Sequence, residues 1–217
     1  MTAPLPGTAD QAPPQALHPD VRIWLLIGPA LAASLGAFLL TVTIGTEWTA
    51  IQGDLQLTAS STIWVFAAYL LPAILAAGVG ALLGRGWPTV VGLSATVLLV
   101  LGALLTALAP GSGPLLLGRA LTGFGAGLAW GVTAVLVRQL SVRRTWVTPL
   151  VAGLVVLALI LGPVLATLLA QAVGWRWPFM LALPLGAVAF LVTAVGGLVA
   201  LTRRAAQPVP TPAPPAA

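Results

Sequence analysis

The residue with the clearest chemical potential is Arg119, set in the run LLLGRALTGFGAGLAWG from Leu115 to Gly131, which carries no other charge. A guanidinium keeps its charge and holds carboxylates or phosphates through paired N–H donors. At the centre of a bilayer-length helix such a charge costs about 2.5 to 3.5 kcal/mol on insertion scales, so it normally faces protein or a water-filled cavity. The acid best placed to answer it is Glu47. Arg119 lies five residues past Pro114, roughly 8 Å along its helix, and Glu47 falls near the same end of the first apolar stretch, so their depths allow them to meet. Arg119 is then a group that binds an anionic part of a substrate or sets the protonation of Glu47. The competing use is structural, an ion pair or a guanidinium reaching carbonyls and interfacial water. Glu47 is the one acidic candidate for proton coupling near a span, unless it sits among headgroups. Tyr69 and Trp130 are candidate cavity linings that can stack on an apolar organic cation, with packing as the alternative.

Other chemistry has little support. Gly123, Gly127 and Gly131 recur every four residues, which on a helix puts them along one side and lets a neighbouring backbone come close. GFGAG looks like a dinucleotide loop only superficially, because it lies in mid-span with no strand before it. The lone histidine, His18, stands in a polar tail, there is no cysteine, and no cluster has metal-ligand spacing. No nucleophile and base, paired acids or phosphate loop falls at a usable spacing. The expectation is a protein that is not an enzyme, with no cofactor and no metal.

The elements that must position these residues are transmembrane. Uncharged runs extend over 23–46, 55–84, 86–118, 120–137, 145–175 and 177–202. Each has about 18 residues or more, enough to cross a hydrocarbon core about 30 Å thick. A composition of 59% hydrophobic and 6% charged residues fits an integral membrane protein. The alternating ten-residue segments of a transmembrane barrel are absent. Span one is expected from Ile23 to Thr49, span two from Thr62 to Leu83, span three from Thr89 to Leu108, span four from Pro114 to Leu136, span five from Val147 to Ala172 and span six from Trp177 to Leu201. The turn from Gly84 to Pro88 is so short that it predicts spans two and three as antiparallel neighbours. Thr58 or Ser60 suits the cap of span two. Residues 1–21, rich in Pro and Ala, are expected to be a disordered tail, and 205–217 a Pro- and Ala-rich tail, on either side of a six-helix domain over 22–204.

Charge placement gives orientation. All nine basic residues are arginines. An even number of spans puts both termini on one side, which collects Arg22, Arg85, Arg138, Arg143, Arg144, Arg203 and Arg204, while the other side has Arg176 with Glu47 and Asp54. Lys and Arg gather on cytoplasmic loops, so both termini are expected in the cytoplasm and the protein in the inner (plasma) membrane. The net charge of +5 is thus a topology signal and not a nucleic-acid surface.

Four stretches, in order, resemble the amino-terminal half of a major facilitator superfamily transporter, closest to its 14-span drug:proton antiporter branch. The most specific is LGPVLATLLAQAVGWRWPFMLALPLG. In it Gly162 and Pro163 match the Gly-Pro pair of the fifth-helix antiporter motif, and Trp175, Arg176, Trp177, Phe179, Pro184 and Gly186 match the opening of the sixth helix. Leu115 to Gly127 is similar to the fourth-helix pattern and places Arg119 on its arginine. Trp64, Ala68 and Tyr69 fit the start of the second helix. After span two only Gly80, Leu82 and Arg85 fit the family's loop; Gly84 replaces its acid, and Trp87, Pro88 and Thr89 replace a Gly and two basic residues. In span one Leu40 stands where the family has an Asp, Gly45 for an Asn and Thr49 for a Pro, and in span five Ala166 and Thr167 replace two glycines.

The resemblance implies an all-α membrane protein of six transmembrane helices, one half of a major facilitator fold, in which Arg119 faces the central cavity and Gly162 and Pro163 form a hinge or a close-packed kink. Family carriers hold substrate near the midplane between two such halves. The expected function is a secondary transporter or half-transporter exporting small amphiphilic organic compounds by alternating access. Its partners are the lipid bilayer, a small organic substrate and a second copy of the chain or another six-span chain. The alternative is a non-transporting membrane scaffold, partner subunit or remnant of a longer carrier.

Overall fold

The computed structural model describes residues 19–42, 46–55, 61–140 and 144–205. They form eight helices: α1 Pro19–Thr41, α2 Thr46–Leu55, α3 Ser61–Leu83, α4 Pro88–Ala107, α5 Ser112–Gln139, α6 Arg144–Val173, α7 Trp177–Met180 and α8 Ala182–Ala205. Six apolar stretches are long enough to cross a membrane, in α1, α3, α4, α5, α6 and in α7 with α8. The all-α reading with six spans therefore holds. Helix is the form such sequences must take in lipid, because it satisfies its own backbone donors and acceptors where no water is present.

Helix α5 is the centre of the bundle. It packs against α3, α4 and α1, while α1 also meets α6 and α8, and α8 lies on α4. Two small-residue seams on different sides of α5 make this possible. Along one seam a Cβ at Gly123, Gly127 or Gly131 would run into the backbone of Tyr69, Ala73 or Ala77 of α3. Along the other, a Cβ at Gly118 would come within 2.7 Å of Thr106 N, and one at Gly125 within 2.6 Å of Leu99 N, both in α4. A helix-interior Gly costs about 1 kcal/mol relative to Ala. Close backbone approach offsets that cost where lipid supplies no hydrophobic drive between helices.

The seams correct one expectation. The short turn does join α3 to α4, but the two helices make almost no contact with each other, because α5 is wedged between them. A second correction concerns span one. It does not run to Thr49: α1 ends at Thr41 and a separate helix, α2, begins at Thr46. Val42, in a turn directly after Thr41, is β-branched and a poorer helix former than Leu or Ala. Helix α2 also takes in residues 50–55, the first half of the stretch between the expected spans one and two. Span four starts at Ser112, two residues earlier than expected; Pro114 is tolerated because the first amides of a helix have no intrahelical acceptor. The expected tails lie almost wholly outside the described residues, as do Thr58 and Ser60.

Tryptophan marks the ends of the spans. Trp24, Trp64, Trp87, Trp146 and Trp177 are all at least half exposed and stand at or beside helix ends, where amphipathic rings suit the headgroup level. Between α6 and α7 the chain turns at Gly174, whose φ of 111° only glycine adopts without strain. The Trp175 that follows is buried and meets Phe179 edge to face, with ring centres 6.4 Å apart.

Candidate functional site

Arg119 sits where α5, α1 and α3 converge and is fully buried. Its Nη1 donates to the carbonyl of Leu39 at 2.8 Å, and its guanidinium carbon lies 4.7 Å from the centre of the Tyr69 ring. Tyr69, also fully buried, donates its hydroxyl to the carbonyl of Gly36 at 2.6 Å. The Leu39 carbonyl belongs to the last turn of α1, and the last four carbonyls of a helix lack intrahelical donors and carry its partial negative charge. Arg119 is thus a cation placed against the negative end of another helix and over an aromatic face. A desolvated cation–π contact contributes about 2 kcal/mol, and a hydrogen bond to a charged group about 1.5 to 3 kcal/mol.

These contacts do not exhaust the guanidinium. Nε and Nη2 are buried with no hydrogen-bond partner. An unsatisfied buried donor costs about 1 to 3 kcal/mol, more when charged, so the site retains unused capacity for an anion or acceptor. Neither Arg119 nor Tyr69 lines the four crevices that the described residues wall between the helices.

The other residues singled out by sequence are distributed as follows. Trp130 is eleven residues along α5 from Arg119, roughly 16 Å on. It donates Nε1 to the carbonyl of Ala33 at 2.9 Å and walls a crevice between α1, α5 and α6. Glu47 stands in the first turn of α2, not on span one, and its side chain lies outside the described residues. The structure therefore joins Arg119 with Tyr69 and sets Trp130 apart from them. Gly123, Gly127 and Gly131 form the α3 seam. Gly162 leaves room for Thr41 at the end of α1, and Pro163 lies within a continuous α6 whose Pro163 carbonyl accepts the Thr167 hydroxyl at 2.7 Å. Among the described residues no group of three or more His, Cys, Asp or Glu could hold a metal ion.

One constellation escaped the sequence reading. Asp54, at the end of α2, pairs with Arg176 at 3.0 Å, and the same Oδ2 accepts Trp175 Nε1 at 3.1 Å. Arg176 also donates to the Ala109 carbonyl at 3.3 Å and lies 4.7 Å from the centre of the Trp175 ring. This cluster ties α2 to the α4–α5 and α6–α7 turns. The usable signal was charge economy: Asp54 and Arg176 are the acid and base assigned to the same poorly charged side. The Leu39 carbonyl had no signal, since any residue supplies one.

Six apolar spans around a glycine-seamed α5, with a buried arginine on that helix, match what comparison with known proteins finds. Residues 26–216 match the family described as Major Facilitator Superfamily. The chain belongs to that superfamily. It is 33% identical over 179 residues to "MFS-type transporter pydD" of an Acremonium species, covering 79% of this chain and 30% of the relative. It is 30% identical over 192 residues to "Efflux pump roqT" of Penicillium rubens, covering 85% and 35%. It is 28% identical over 201 residues to "Multidrug resistance protein B homolog" of Mycobacterium tuberculosis, covering 89% and 37%. The chain spans about a third of the length of these superfamily relatives. The first is named as a transporter, the second as an efflux pump and the third as a multidrug resistance protein, and none is named as an enzyme. Membership makes this a multi-pass membrane protein with the helices of a major facilitator amino-terminal half.

Proposed function

We propose that these residues form one half of a secondary carrier that exports small amphiphilic organic compounds by alternating access. A second six-helix half, whether another copy of this chain or a different one, completes its cavity in the inner membrane, with both described ends of the bundle on the cytoplasmic side. The observation that carries the reading is the guanidinium of Arg119. A charge buried in a span with two unused donors is a costly feature for a scaffold and a useful one for a carrier, since rocking of α1 against α5 exchanges the Leu39 carbonyl for substrate or for a carboxylate such as Glu47. Family membership and the names of the relatives support the same reading. So does the uneven burial of the spans: the most apolar windows of α1 and α5 are each 67% buried, those of α3 and α6 only 28% and 11%, which suits a bundle with one side awaiting a partner.

The test is efflux of a panel of lipophilic cations and anions from a host stripped of its own exporters, with the association state read by native mass spectrometry in mild detergent. We expect protection against at least one compound, together with a dimer or a complex with a second six-span chain. A strict monomer conferring no protection, although correctly inserted, would overturn the exporter in favour of a non-transporting membrane subunit.

A further inference from the structure

We propose that the crevice between α1, α5 and α6 binds an amphiphile with an anionic head, its head at Arg138 and Thr133 and its apolar body against Trp130 and the valines of α6. The crevice has a volume of about 340 Å³ and is walled by Trp130, Thr133, Arg138, Thr148, Val151 and Val155, among others. That falls within the roughly 300 to 1,000 Å³ usual for small-molecule sites.

Thr133 is the decisive residue. Buried threonines in this bundle satisfy their hydroxyls within their own helix: Thr41, Thr96, Thr106, Thr122 and Thr193 each donate to the carbonyl four residues back. Thr133 is equally buried, yet its hydroxyl has no partner. A buried polar group left unpaired costs about 1 to 3 kcal/mol, and the residue that carries this one lines the crevice, its oxygen just beneath the surface.

Charge supplies the sign of the head group. Arg138 is exposed in the last turn of α5 and shares the wall with Thr133, five residues or roughly 8 Å away along the helix. The ion pair formed by Asp54 and Arg176 does not involve it, and no acid lines the crevice. A topological role for Arg138 accounts for the cation but not for the orphaned hydroxyl beside it. Trp130, anchored through Nε1 to Ala33, offers a fixed apolar ring at the other end. Basic pockets between transmembrane helices suit phosphate-bearing lipid heads as well as anionic solutes, so both sources share this chemistry.

As a substrate site the crevice rests on the exporter reading; as a binding site it does not, and binding is what the experiment reads. The full chain in neutral maltoside detergent is mixed with octyl phosphate or octyltrimethylammonium, and bound adducts are counted by native mass spectrometry. We expect saturable octyl phosphate binding at least tenfold tighter than that of the cation. It weakens about tenfold in Arg138→Gln and threefold or more in Thr133→Val, and is unchanged in the distant Arg203→Gln. Displacement by phosphatidylglycerol, but not by phosphatidylcholine, assigns the crevice to a lipid head; octyl phosphate binding that persists assigns it to a solute. Equal binding of both probes, or wild-type binding by both Thr133→Val and Arg138→Gln at unchanged melting temperature, overturns the proposal. Binding without export leaves it standing and removes the exporter, whereas export without binding does the reverse.

Discussion

On the proposed function, Arg119 is where stability and transport make opposite demands. A buried ion is often replaced by an apolar side chain of similar length with no loss, or even a gain, of stability, and this one leaves two donors unpaired. Arg119→Met keeps the stem and removes the unsatisfied charge. We therefore expect its melting temperature in detergent to equal or exceed the wild-type value while export falls at least tenfold. A drop of many degrees would make Arg119 a structural clamp on the end of α1, and unchanged export would remove it from the mechanism. The outer pair behaves differently. Asp54 and Arg176 have side chains 47% and 44% exposed, and exposed pairs contribute about 0 to 1 kcal/mol. Asp54→Asn is expected to cost no more than that in an unfolding titration, with the loss shrinking in high salt as screening weakens the wild-type pair. Sequence singled out Arg119 because a charge in an apolar run is conspicuous. It did not yield the partners, because one is a backbone carbonyl and the other, Tyr69, stands fifty residues away in the chain. Leu40, standing where the resemblance expects an acid, adjoins Leu39, so the neighbourhood was legible and the use of the Leu39 carbonyl as acceptor was not.

At the scale of elements, α5 acts as a wedge whose two seams set the distances to α3 and α4. Side chains added to the seam meet backbone that can move only with its whole helix. Gly127→Ala directs a methyl at the Ala73 carbonyl, and overpacking of this kind costs about 1 to 3 kcal/mol. A methyl at Gly153 in α6 would meet nothing within 4 Å, so Gly153→Ala is expected to be neutral or to stabilise by up to about 1 kcal/mol through helix propensity. Thermal melting of the two variants side by side checks the contrast; equal effects would mean that the seam is slack. The four-residue glycine spacing made the α3 seam readable from sequence. The second seam was hidden because Gly118 and Gly125 are seven apart and Thr122 fills the turn between them. The break after Thr41 was unreadable for another reason: hydropathy continues through it, and an uncharged run does not say where its helix stops.

For the whole molecule, the number of spans and their apolar character were legible because lipid leaves few alternatives, whereas the packing order was not, since a short turn fixes where two helices meet and not what lies between them. Orientation remains the property most directly tied to mechanism, because the crevice with Arg138 and the cluster with Asp54 open toward opposite ends of the spans. The proposed orientation, drawn from seven arginines on one side against Arg176 on the other, has the Arg138 end facing the cytoplasm, where the proposed exporter would accept its cargo. The chain has no cysteine, so single cysteines report position without background. Gly86, in the exposed turn between α3 and α4, and Gly113, exposed at the start of α5, lie at opposite ends of α4. In intact cells a membrane-impermeant maleimide is expected to label Gly113→Cys and to label Gly86→Cys only after permeabilisation. Labelling in the reverse pattern would put the Arg138 crevice outside the cell, and a protein so oriented would have to take up cargo through that crevice or use it for something other than transport.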